Sequence, residues 1–575
     1  MPNTKPTTNN IVDSIQTLAK ELETSLTKQK IAQLEDLLKV RVQIKDPQTI
    51  DDSLFNKLRT LIMKFEPSSR KELHLQLSTM GLLLRDKTRE QTLTKNGENK
   101  IKYKPLDLET IVLALPAFLH FIRLGDHESQ NLPLFMYDID QGLYTRNEDI
   151  IDLALLQFQP GLNTKNSEEV RRQIRLQSPI RAEHQDNFTA NVKNGMFNIL
   201  TKTITPYTPD IINIRKIETN YNPTAQHPIF PNNWTFESWL NTQFKRDLER
   251  KFMWQLIQFL PMVSRPKNVF VLMFDQLGNT GKGMFQDILQ NLTGFANTGN
   301  STMVELNSRF GLAPVFDKTL IISGENDATY MADNGNLKNV ATGDMISVEP
   351  KGKDAFTARC TALMVFASNS IPRFGKMDAG VKRRVRVQEF THSYSGKVDH
   401  NIRDLYIKDQ EFLEYLLKTA LHMPFEPEIV DPESSKNLKK EIEVTSNFAY
   451  DYVVNRLSTY EGGRIPYNVL FADAEAYATS TGRKFGYEQT GFVREVVAEL
   501  RKAGYSINTK TLRFSKGYTK MDYDWFYNFR LSVPNGQIGI WLSYDQMKER
   551  FKSSQRGIEF IKRPQVSQNT EEIQI

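Results

Sequence analysis

One stretch, from Asn268 to Leu289, most constrains how this chain can fold. It reads NVFVLMFDQLGNTGKGMFQDIL: an apolar run, Val269 to Phe274, enters a glycine-rich turn that ends in Gly281 and Lys282, and a helix-like segment follows. In that order, the backbone N–H groups of the turn and the positive end of the helix point towards phosphate oxygens. The stretch therefore predicts an α/β nucleotide-binding domain with Lys282 on the outer phosphates.

The match to the usual phosphate loop, G-x-x-x-x-G-K-[ST], is incomplete. Gln276 stands where the first glycine is usual, and Gly283 stands where a serine or threonine would hold Mg²⁺. A glycine-rich turn between a strand and a helix can also be plain α/β architecture, so that alternative stays open on the loop alone. The residues predicted to bind nucleotide are Gly278, Asn279, Thr280, Gly281, Lys282, Gly283 and Met284.

Two further predicted strands end in polar side chains that suit such a site. The strand from Thr319 to Ser323 is followed by Glu325 and Asp327, and the strand from Thr361 to Ala367 is followed by Asn369. Carboxylates beside a phosphate loop can hold Mg²⁺ through water and polarise the attacking water. An amide there could orient that water, although a lone asparagine after a strand is usually a turn or capping residue.

Two basic segments lie downstream of the loop. Arg383 and Arg384 belong to AGVKRRVRVQEF (379–390), and Lys351 and Lys353 belong to VEPKGKD (348–354). An arginine supplied to the phosphates of a neighbouring subunit can raise a rate by roughly 10³–10⁵. The lysines fit the tip of a β-hairpin, which in a ring of subunits could meet a phosphate backbone in the channel. For both segments, an ordinary solvated face is the alternative.

In their order and spacing, these segments resemble a superfamily 3 helicase of the branch carried by phages, plasmids and bacterial mobile elements. The matching stretches are Gly278–Gly283, Leu320–Asp327, Leu337–Phe356, Met364–Pro372 and Asp378–Phe390. Two earlier segments, Val192–Pro209 and Asn220–Ala225, resemble the domain that accompanies this helicase in phage primase-helicases and poxvirus-type relatives. Together the resemblance covers roughly residues 130 to 395.

The resemblance implies an AAA+-like ATPase that uses ATP and Mg²⁺ and works as a homo-hexameric ring on DNA. It also implies the following roles: Lys282 on the phosphates, Glu325 and Asp327 as the acidic motif that holds the metal through water, Asn369 at the sensor position, Arg383 or Arg384 as the arginine acting on the neighbouring subunit, and Lys351 and Lys353 on single-stranded DNA in the channel. Host replication proteins remain open as further partners.

The carboxy-terminal segment predicts a separate DNA-binding unit. Residues 489–503 form a helical pattern with apolar positions Phe492, Val496, Val497 and Leu500, and YSINTKTLRFSKGYTK (505–520) then alternates like strands. A helix followed by a basic two-strand wing predicts a winged-helix module on double-stranded origin DNA. A small α+β packing domain with a solvated basic face is the alternative. The candidate DNA contacts are Arg494, Arg501, Lys502, Arg513 and Lys516.

Composition narrows the class of protein. Cys360 is the one cysteine, which excludes an internal disulfide framework and a zinc site built on cysteines. A net charge of +6 permits a nucleic-acid partner without demonstrating one. The start of the sequence lacks the apolar core of a signal peptide. The stretch 111–124 predicts a buried helix that is too short to span a bilayer. We therefore expect a soluble, cytoplasmic protein with no membrane partner.

These patterns predict a multidomain α/β protein. Its expected parts are a helical amino-terminal region and linker (1–104, with the linker at 88–104), a mixed α+β domain (105–230), a superfamily 3, AAA+-like P-loop helicase domain (231–395), a connecting segment (396–445) and a winged-helix-like domain (446–575). Asp138 and Asp140 could suggest a primase metal site, but their Asp-Ile-Asp-Gln-Gly context reads better as a turn.

Two functions follow from this organisation. The first is an ATP-dependent hexameric DNA helicase that acts in replication initiation of a mobile genetic element and binds its origin. The second is an ATP-controlled, DNA-binding initiator that assembles on or melts an origin without processive unwinding. A kinase-like P-loop enzyme with no DNA role would leave the hairpin lysines, the arginine pair and the basic carboxy-terminal unit unexplained.

Gly283 generates a first prediction. Since it offers no hydroxyl, we expect Mg²⁺ to be held mainly by ATP oxygens, water and the acidic motif. Gly283→Thr should therefore leave the rate of ATP hydrolysis intact or raise it, as measured by phosphate release. A large loss of activity would mean that the loop binds nucleotide in a different way.

Overall fold

A parallel five-stranded β-sheet forms the centre of the molecule, and smaller sheets and helices precede and follow it along the chain. The computed structural model describes residues 52–507, 512–513 and 556–562, with gaps at 94–98, 127–130, 266–267, 325–329, 332–333, 371, 375–378, 396–398, 434, 438, 441, 443–446, 460–463, 482 and 484. The fold is multidomain and of mixed α/β class, as the sequence predicts at that level. No helix of this described part has the length and apolar character needed to cross a membrane.

The amino-terminal part packs helices against a small sheet. Its helices are α1 (Asp52–Lys64), α2 (Arg70–Asp86), α3 (Leu108–Ala114), α4 (Glu148–Phe158) and α5 (Thr164–Gln177). Its strands are β1 (Arg89–Leu93), β2 (Asn99–Tyr103), β3 (Phe121–Leu124), β4 (Leu134–Asp138), β5 (Leu143–Thr145) and β6 (Ile180–Arg181), and the last four form one sheet in the order β5-β4-β3-β6. One hydrophobic core runs from Phe55 to Ile174 and so spans residue 104, where the sequence predicts a boundary.

Two segments of this part differ from the sequence-based expectation. Residues 88–104, expected to be a linker, contain the antiparallel hairpin of β1 and β2. Residues 111–124 were expected to form one buried helix. Instead, α3 ends at Ala114 and β3 begins at Phe121. Pro116 explains the break, because proline lacks an N–H group and clashes with the preceding helical turn.

Residues 189–259 connect this part to the central sheet. They form a three-stranded antiparallel sheet of β7 (Thr189–Val192), β8 (Gly195–Asn198) and β9 (Thr203–Thr205), and the helices α6 (Phe236–Gln243) and α7 (Asp247–Phe259). Helix α6 begins with a capping box between Thr235 and Ser238, the start that the sequence predicts. These elements share the largest hydrophobic core with the central sheet, so α6 is held rigidly beside it.

The central sheet has the strand order β11-β12-β16-β10-β18, and all its pairs are parallel. Its strands are β10 (Phe270–Phe274), β11 (Thr298–Asn300), β12 (Leu320–Ser323), β16 (Leu363–Ser368) and β18 (Val385–Glu389). Its helices are α8 (Lys282–Thr293), α9 (Met303–Leu306), α10 (Gly335–Thr342) and α11 (Ala379–Arg384). Every residue of β10 and β16 is buried, as expected for parallel strands covered on both faces. The carboxyl ends of all five strands therefore meet at one edge.

Smaller elements surround this sheet. A β-hairpin joins β14 (Met345–Val348) to β15 (Phe356–Arg359), as the sequence predicts, and β13 (Tyr330–Met331) pairs with β17 (Arg373–Phe374). Helices α12 (His400–Asp404) and α13 (Gln410–His422) follow the sheet, and α13 packs against α7. The elements after residue 395 thus return to the same core as the helices before the sheet.

The carboxy-terminal part has its own core. It contains α14 (Phe448–Asp451), a π-helical turn (Tyr452–Arg456), α15 (Tyr467–Ser480), α16 (Gln489–Lys502), β19 (Arg464–Pro466), β20 (Ser506–Ile507), β21 (Leu512–Arg513) and β22 (Arg556–Lys562). Helix α16 buries Phe492, Val496 and Leu500, which are apolar positions that the sequence predicts. Of the expected wing (505–520), the structure describes residues 505–507 and 512–513. They contain β20 and β21, which each pair antiparallel with β22, a partner that the sequence analysis did not identify.

Candidate functional site

The loop between β10 and α8 curls back on itself. Gly278, Asn279 and Gly281 have positive φ angles of 68°, 51° and 90°, which turn the chain sharply at the carboxyl end of β10. Helix α8 then begins at Lys282, and no side chain caps its amino terminus. The first N–H groups of a helix lack partners within the helix, so this end is suited to bind an anion.

Lys282 lies inside this loop with its ammonium group close to three oxygen atoms. Its side chain is 9% exposed, and Nζ lies 2.9 Å from Asp275 Oδ1. Nζ also donates to the Ser368 carbonyl at 2.8 Å and to Asn369 Oδ1. The ammonium group thus donates two hydrogen bonds, and its contact with Asp275 is an ion pair in which Oδ1 accepts no hydrogen bond. The structure therefore brings Asn369, the predicted sensor residue, into direct contact with the predicted phosphate-binding lysine.

Parallel pairing explains this meeting. In the register of β10 with β16, Phe274 lies opposite Ser368, so the loop and Asn369 leave the sheet side by side. Gln286 of α8 donates to the carbonyls of Ser323 and Val365, each at 3.0 Å, and thereby fixes the helix over the end of β12 and the middle of β16. The predicted acidic residues Glu325 and Asp327 lie outside the described residues, but β12, the strand before them, ends at this edge.

A cleft of about 490 Å³ opens beside the loop. This volume lies in the range of roughly 300–1,000 Å³ that is typical of small-ligand sites. Its aromatic wall consists of Trp234, Trp239 and Tyr394, and Trp239 packs against Gly281. Burial raises the pKa of Tyr394 to about 12, so its hydroxyl stays protonated at neutral pH. The other lining residues are Ser238, Thr242, Asp275, Gly278, Asn279, Thr280, Lys282, Gly283, Met284, Asn369, Asp399, Ile402 and Arg403.

The segment after β18 closes over the loop. The backbone N–H of Tyr394 donates to the Asn279 carbonyl at 2.9 Å, and Ser393 Oγ donates to the Gly278 carbonyl at 3.1 Å. These bonds satisfy two of the loop carbonyls and tie the segment after β18 to the loop. Sequence reasoning missed this contribution, since nothing local to residues 393–394 indicates which segment they contact.

Asp275 is the functional residue that sequence reasoning missed at the loop itself. It directly follows the wholly buried β10, is 2% exposed, and accepts a hydrogen bond from Thr280 in addition to its pairing with Lys282. The available signal was an acid placed between an apolar strand and a glycine-rich turn. Buried carboxylates are costly unless paired, so an acid at that position indicates a nearby cation.

Gly283 lies where the loop usually supplies a metal-binding hydroxyl. A Cβ built there would meet only Arg403 Nη2, at 3.7 Å, and Arg403 itself is paired with Asp287 at 2.6 Å. The position therefore has room for a side chain. Among the described residues, no group of three or more His, Cys, Asp or Glu side chains could hold a metal ion.

The arginine pair lies away from the loop of its own chain. Val385, the residue after Arg384, pairs with Phe270 at the start of β10, whereas the loop follows Phe274 at its end. At roughly 3.3 Å per residue, these two edges of the sheet are about 13 Å apart. Arg384 donates to Thr342 Oγ1 at 3.0 Å and to the Gly380 carbonyl at 2.9 Å, whereas Arg383 is exposed. The fold does not bring either arginine to Lys282.

The predicted DNA-contacting lysines lie at the turn between β14 and β15. Lys351 and Lys353 flank Gly352, whose φ of 76° forms the turn, and both lysines are exposed. Lys353 Nζ lies 2.5 Å from Glu148 Oε1 of α4. Burial pushes the pKa of Glu148 upwards, but the hydrogen bonds from Lys353 and Arg171 outweigh it and lower that pKa. One predicted DNA contact is thus engaged within the chain.

The predicted DNA contacts of the carboxy-terminal part are only partly described. Arg494 and Arg501 are exposed on α16, and Lys502 on the same helix pairs with Glu499 at 2.7 Å. Arg513 belongs to β21, and Lys516 lies outside the described residues. Helix α16 therefore presents arginines on the side opposite its buried apolar residues.

Comparison with known proteins gives one family match and several structural neighbours. The Family of unknown function (DUF5906) matches residues 275–384. The A form apo structure of NrS-1 C terminal region-CTR has a TM-score of 0.37 and 12% identity, covering 80% of this chain and 100% of that one. The apo structure of the NrS-1 C terminal region (305–718) has a TM-score of 0.37 and 13% identity, covering 71% and 97%. At these TM-scores the likeness does not establish a shared fold.

Two loop glycines give a matched pair of substitutions. Gly281→Ala places a Cβ about 3.1 Å from Trp239 Cζ2 at a φ of 90°, whereas Gly283 is helical and open. We expect Gly281→Ala to lower the free energy of unfolding by about 1–3 kcal/mol. Gly283→Ala should raise it by about 0.5–1 kcal/mol, because alanine favours the helix. Urea unfolding of both variants measures this, and equal effects would contradict the loop geometry.

Proposed function

We propose that this chain is an ATP-dependent DNA helicase that works as a homo-hexameric ring in replication initiation of a mobile genetic element. The single observation that carries the proposal is the meeting of Lys282 and Asn369 at the carboxyl edge of a parallel sheet, beside a cleft of about 490 Å³. A buried amine, an uncapped helix start and an amide together suit the triphosphate of a nucleotide. A superfamily 3, AAA+-like domain is part of the same proposal.

Each residue would have a defined task in ATP hydrolysis. The N–H groups of the loop and Lys282 would bind the phosphates, and Asn369 would orient the attacking water. Mg²⁺ would neutralise charge on the phosphate oxygens, with Glu325 and Asp327 holding it through water, since Gly283 supplies no hydroxyl. The aromatic wall of Trp234, Trp239 and Tyr394 would exclude bulk water from the reacting group.

The arginine that completes the site would come from a neighbouring subunit. Arg383 and Arg384 lie at the opposite edge of the sheet from Lys282, which supports a role at the nucleotide of a neighbouring chain. Arg384 is engaged by Thr342 and Gly380, whereas Arg383 is exposed. We therefore assign the role to Arg383. This assignment requires a ring or a chain of subunits.

DNA binding would use two surfaces. Lys351 and Lys353 at the hairpin turn would contact single-stranded DNA in the channel, and the exposed arginines of α16 would contact double-stranded origin DNA. The pairing of Lys353 with Glu148 is between exposed groups and is therefore weak enough for a phosphate to replace it. Lys351 is exposed, which supports the same assignment for it.

The central experiment compares ATP hydrolysis, fork unwinding and particle size for the wild type and a variant that lacks the Lys282 side chain. Lys282→Ala alone would leave Asp275 buried without its charged partner and could unfold the loop. The better variant is the Asp275→Asn, Lys282→Ala double substitution, with Asp275→Asn as its control.

We expect the double variant to assemble like the wild type and to lose both hydrolysis and unwinding. Full activity in an assembled double variant would sink the proposal. If DNA stimulates ATP hydrolysis by the wild type but the wild type displaces no strand from a fork, the result would instead favour the origin-binding initiator. Hydrolysis that DNA does not affect would favour an enzyme with no DNA role.

Mixing variants tests whether Arg383 acts on a neighbouring subunit. Arg383→Ala should lower the hydrolysis rate by about 10³-fold or more without weakening ATP binding, because the arginine stabilises charge only in the transition state. Lys382→Ala, at the adjacent exposed position, serves as the matched control. Mixed with the Asp275→Asn, Lys282→Ala chain, Arg383→Ala should regain part of its activity, since some interfaces then hold both an intact lysine and an intact arginine. No regain in mixed assemblies would contradict action between subunits.

A further inference from the structure

The three contacts of Lys282 are not equivalent. The Ser368 carbonyl is fixed as part of β16, and Asn369 offers a neutral amide oxygen. Asp275 offers a carboxylate 2.9 Å away, which carries the same sign of charge as a phosphate. A phosphate oxygen that approaches the ammonium group is therefore repelled by this carboxylate.

Of the three groups around Lys282, Asp275 is the one that repels a phosphate most strongly. Its side chain is 2% exposed, so water screens its charge poorly. Its second oxygen accepts the hydroxyl of Thr280, a residue of the same loop. The carboxylate therefore holds both the lysine and the curl of the loop in their present arrangement, and a bound triphosphate would place several more negative charges beside it.

We propose that Asp275 is an internal competitor for the nucleotide phosphates, which must displace its carboxylate from Lys282 in order to bind. The proposal rests on the function proposed above, because it takes the ligand to be a nucleoside triphosphate. Asp275 thereby sets the affinity of the site: it keeps the buried lysine paired when no nucleotide is bound, and it weakens nucleotide binding in return. The proposed competition affects the binding of the nucleotide and assigns Asp275 no part in the bond making and breaking of ATP hydrolysis.

Asp275→Asn tests this directly in the full-length chain. The amide is of similar size and can still accept a hydrogen bond from Thr280 or Lys282, but it carries no charge. Titration calorimetry with MgATP and with inorganic tripolyphosphate should show binding that is about 10–100-fold tighter than in the wild type. Adenosine, which has no phosphate to meet Lys282, should bind both proteins equally. A merely structural role of Asp275 would change adenosine binding as well.

Two further variants separate the local effect from general charge. Asp247→Asn removes a carboxylate that is 97% exposed and is paired with Arg250 outside the cleft. It should change tripolyphosphate affinity only slightly, by less than about 3-fold, because exposed charges are screened. The Asp275→Asn, Lys282→Ala double variant should bind tripolyphosphate no more tightly than the wild type, because the gain of Asp275→Asn acts through the lysine and the two substitutions are non-additive.

The outcomes distinguish this inference from the proposed function. If the wild type binds MgATP and Asp275→Asn binds it no more tightly, the competition is refuted and the nucleotide site stands. If neither protein binds MgATP or tripolyphosphate, the nucleotide site itself fails, and the competition with it. Thermal unfolding measures whether Asp275→Asn is folded. If it is not, Asp275→Ser provides a second neutral side chain, and this variant should likewise bind MgATP and tripolyphosphate more tightly than the wild type.

Discussion

The parallel pairing of β10 with β16 is the constraint on which the candidate site depends. It places Phe274 opposite Ser368, so a loop and an asparagine that are far apart in sequence leave the sheet together. An antiparallel pairing would have sent them to opposite edges. The burial of both strands makes this register hard to change, because a shift by one residue would force the tightly packed apolar side chains on both faces of the sheet to repack. The polar contacts of Lys282 are therefore a consequence of apolar packing.

The same sheet explains why the candidate residues separate into two groups. Residues that follow a strand, such as Lys282 and Asn369, lie at the carboxyl edge. Residues that precede a strand, such as Arg383 and Arg384, lie at the amino edge. In a single copy of the fold, the two groups therefore start from opposite edges of the sheet. A proposal that uses both groups at one nucleotide is thus also a statement about assembly.

The sequence predicts those features that depend on local patterns. The apolar run 269–274 appears as β10, the helix begins at Lys282, and the Thr235 start of α6 and the hairpin around Gly352 are found as expected. The misses involve partners that are distant in sequence. Residues 505–520 alternate like a wing, yet their described strands pair with β22, some fifty residues later. Asp275 carried a local signal, but its meaning emerged only when the fold placed it against Lys282.

The bond between Glu148 and Lys353 has a consequence for the coupling of distant parts of the chain. It joins the amino-terminal helices to the β14–β15 turn through two side chains that are 50% and 61% exposed. Such an ion pair fades as dissolved ions accumulate around it, with a screening length of about 8 Å at physiological ionic strength. The ionic composition of the surrounding solution therefore governs how strongly this ion pair ties the turn to the amino-terminal helices.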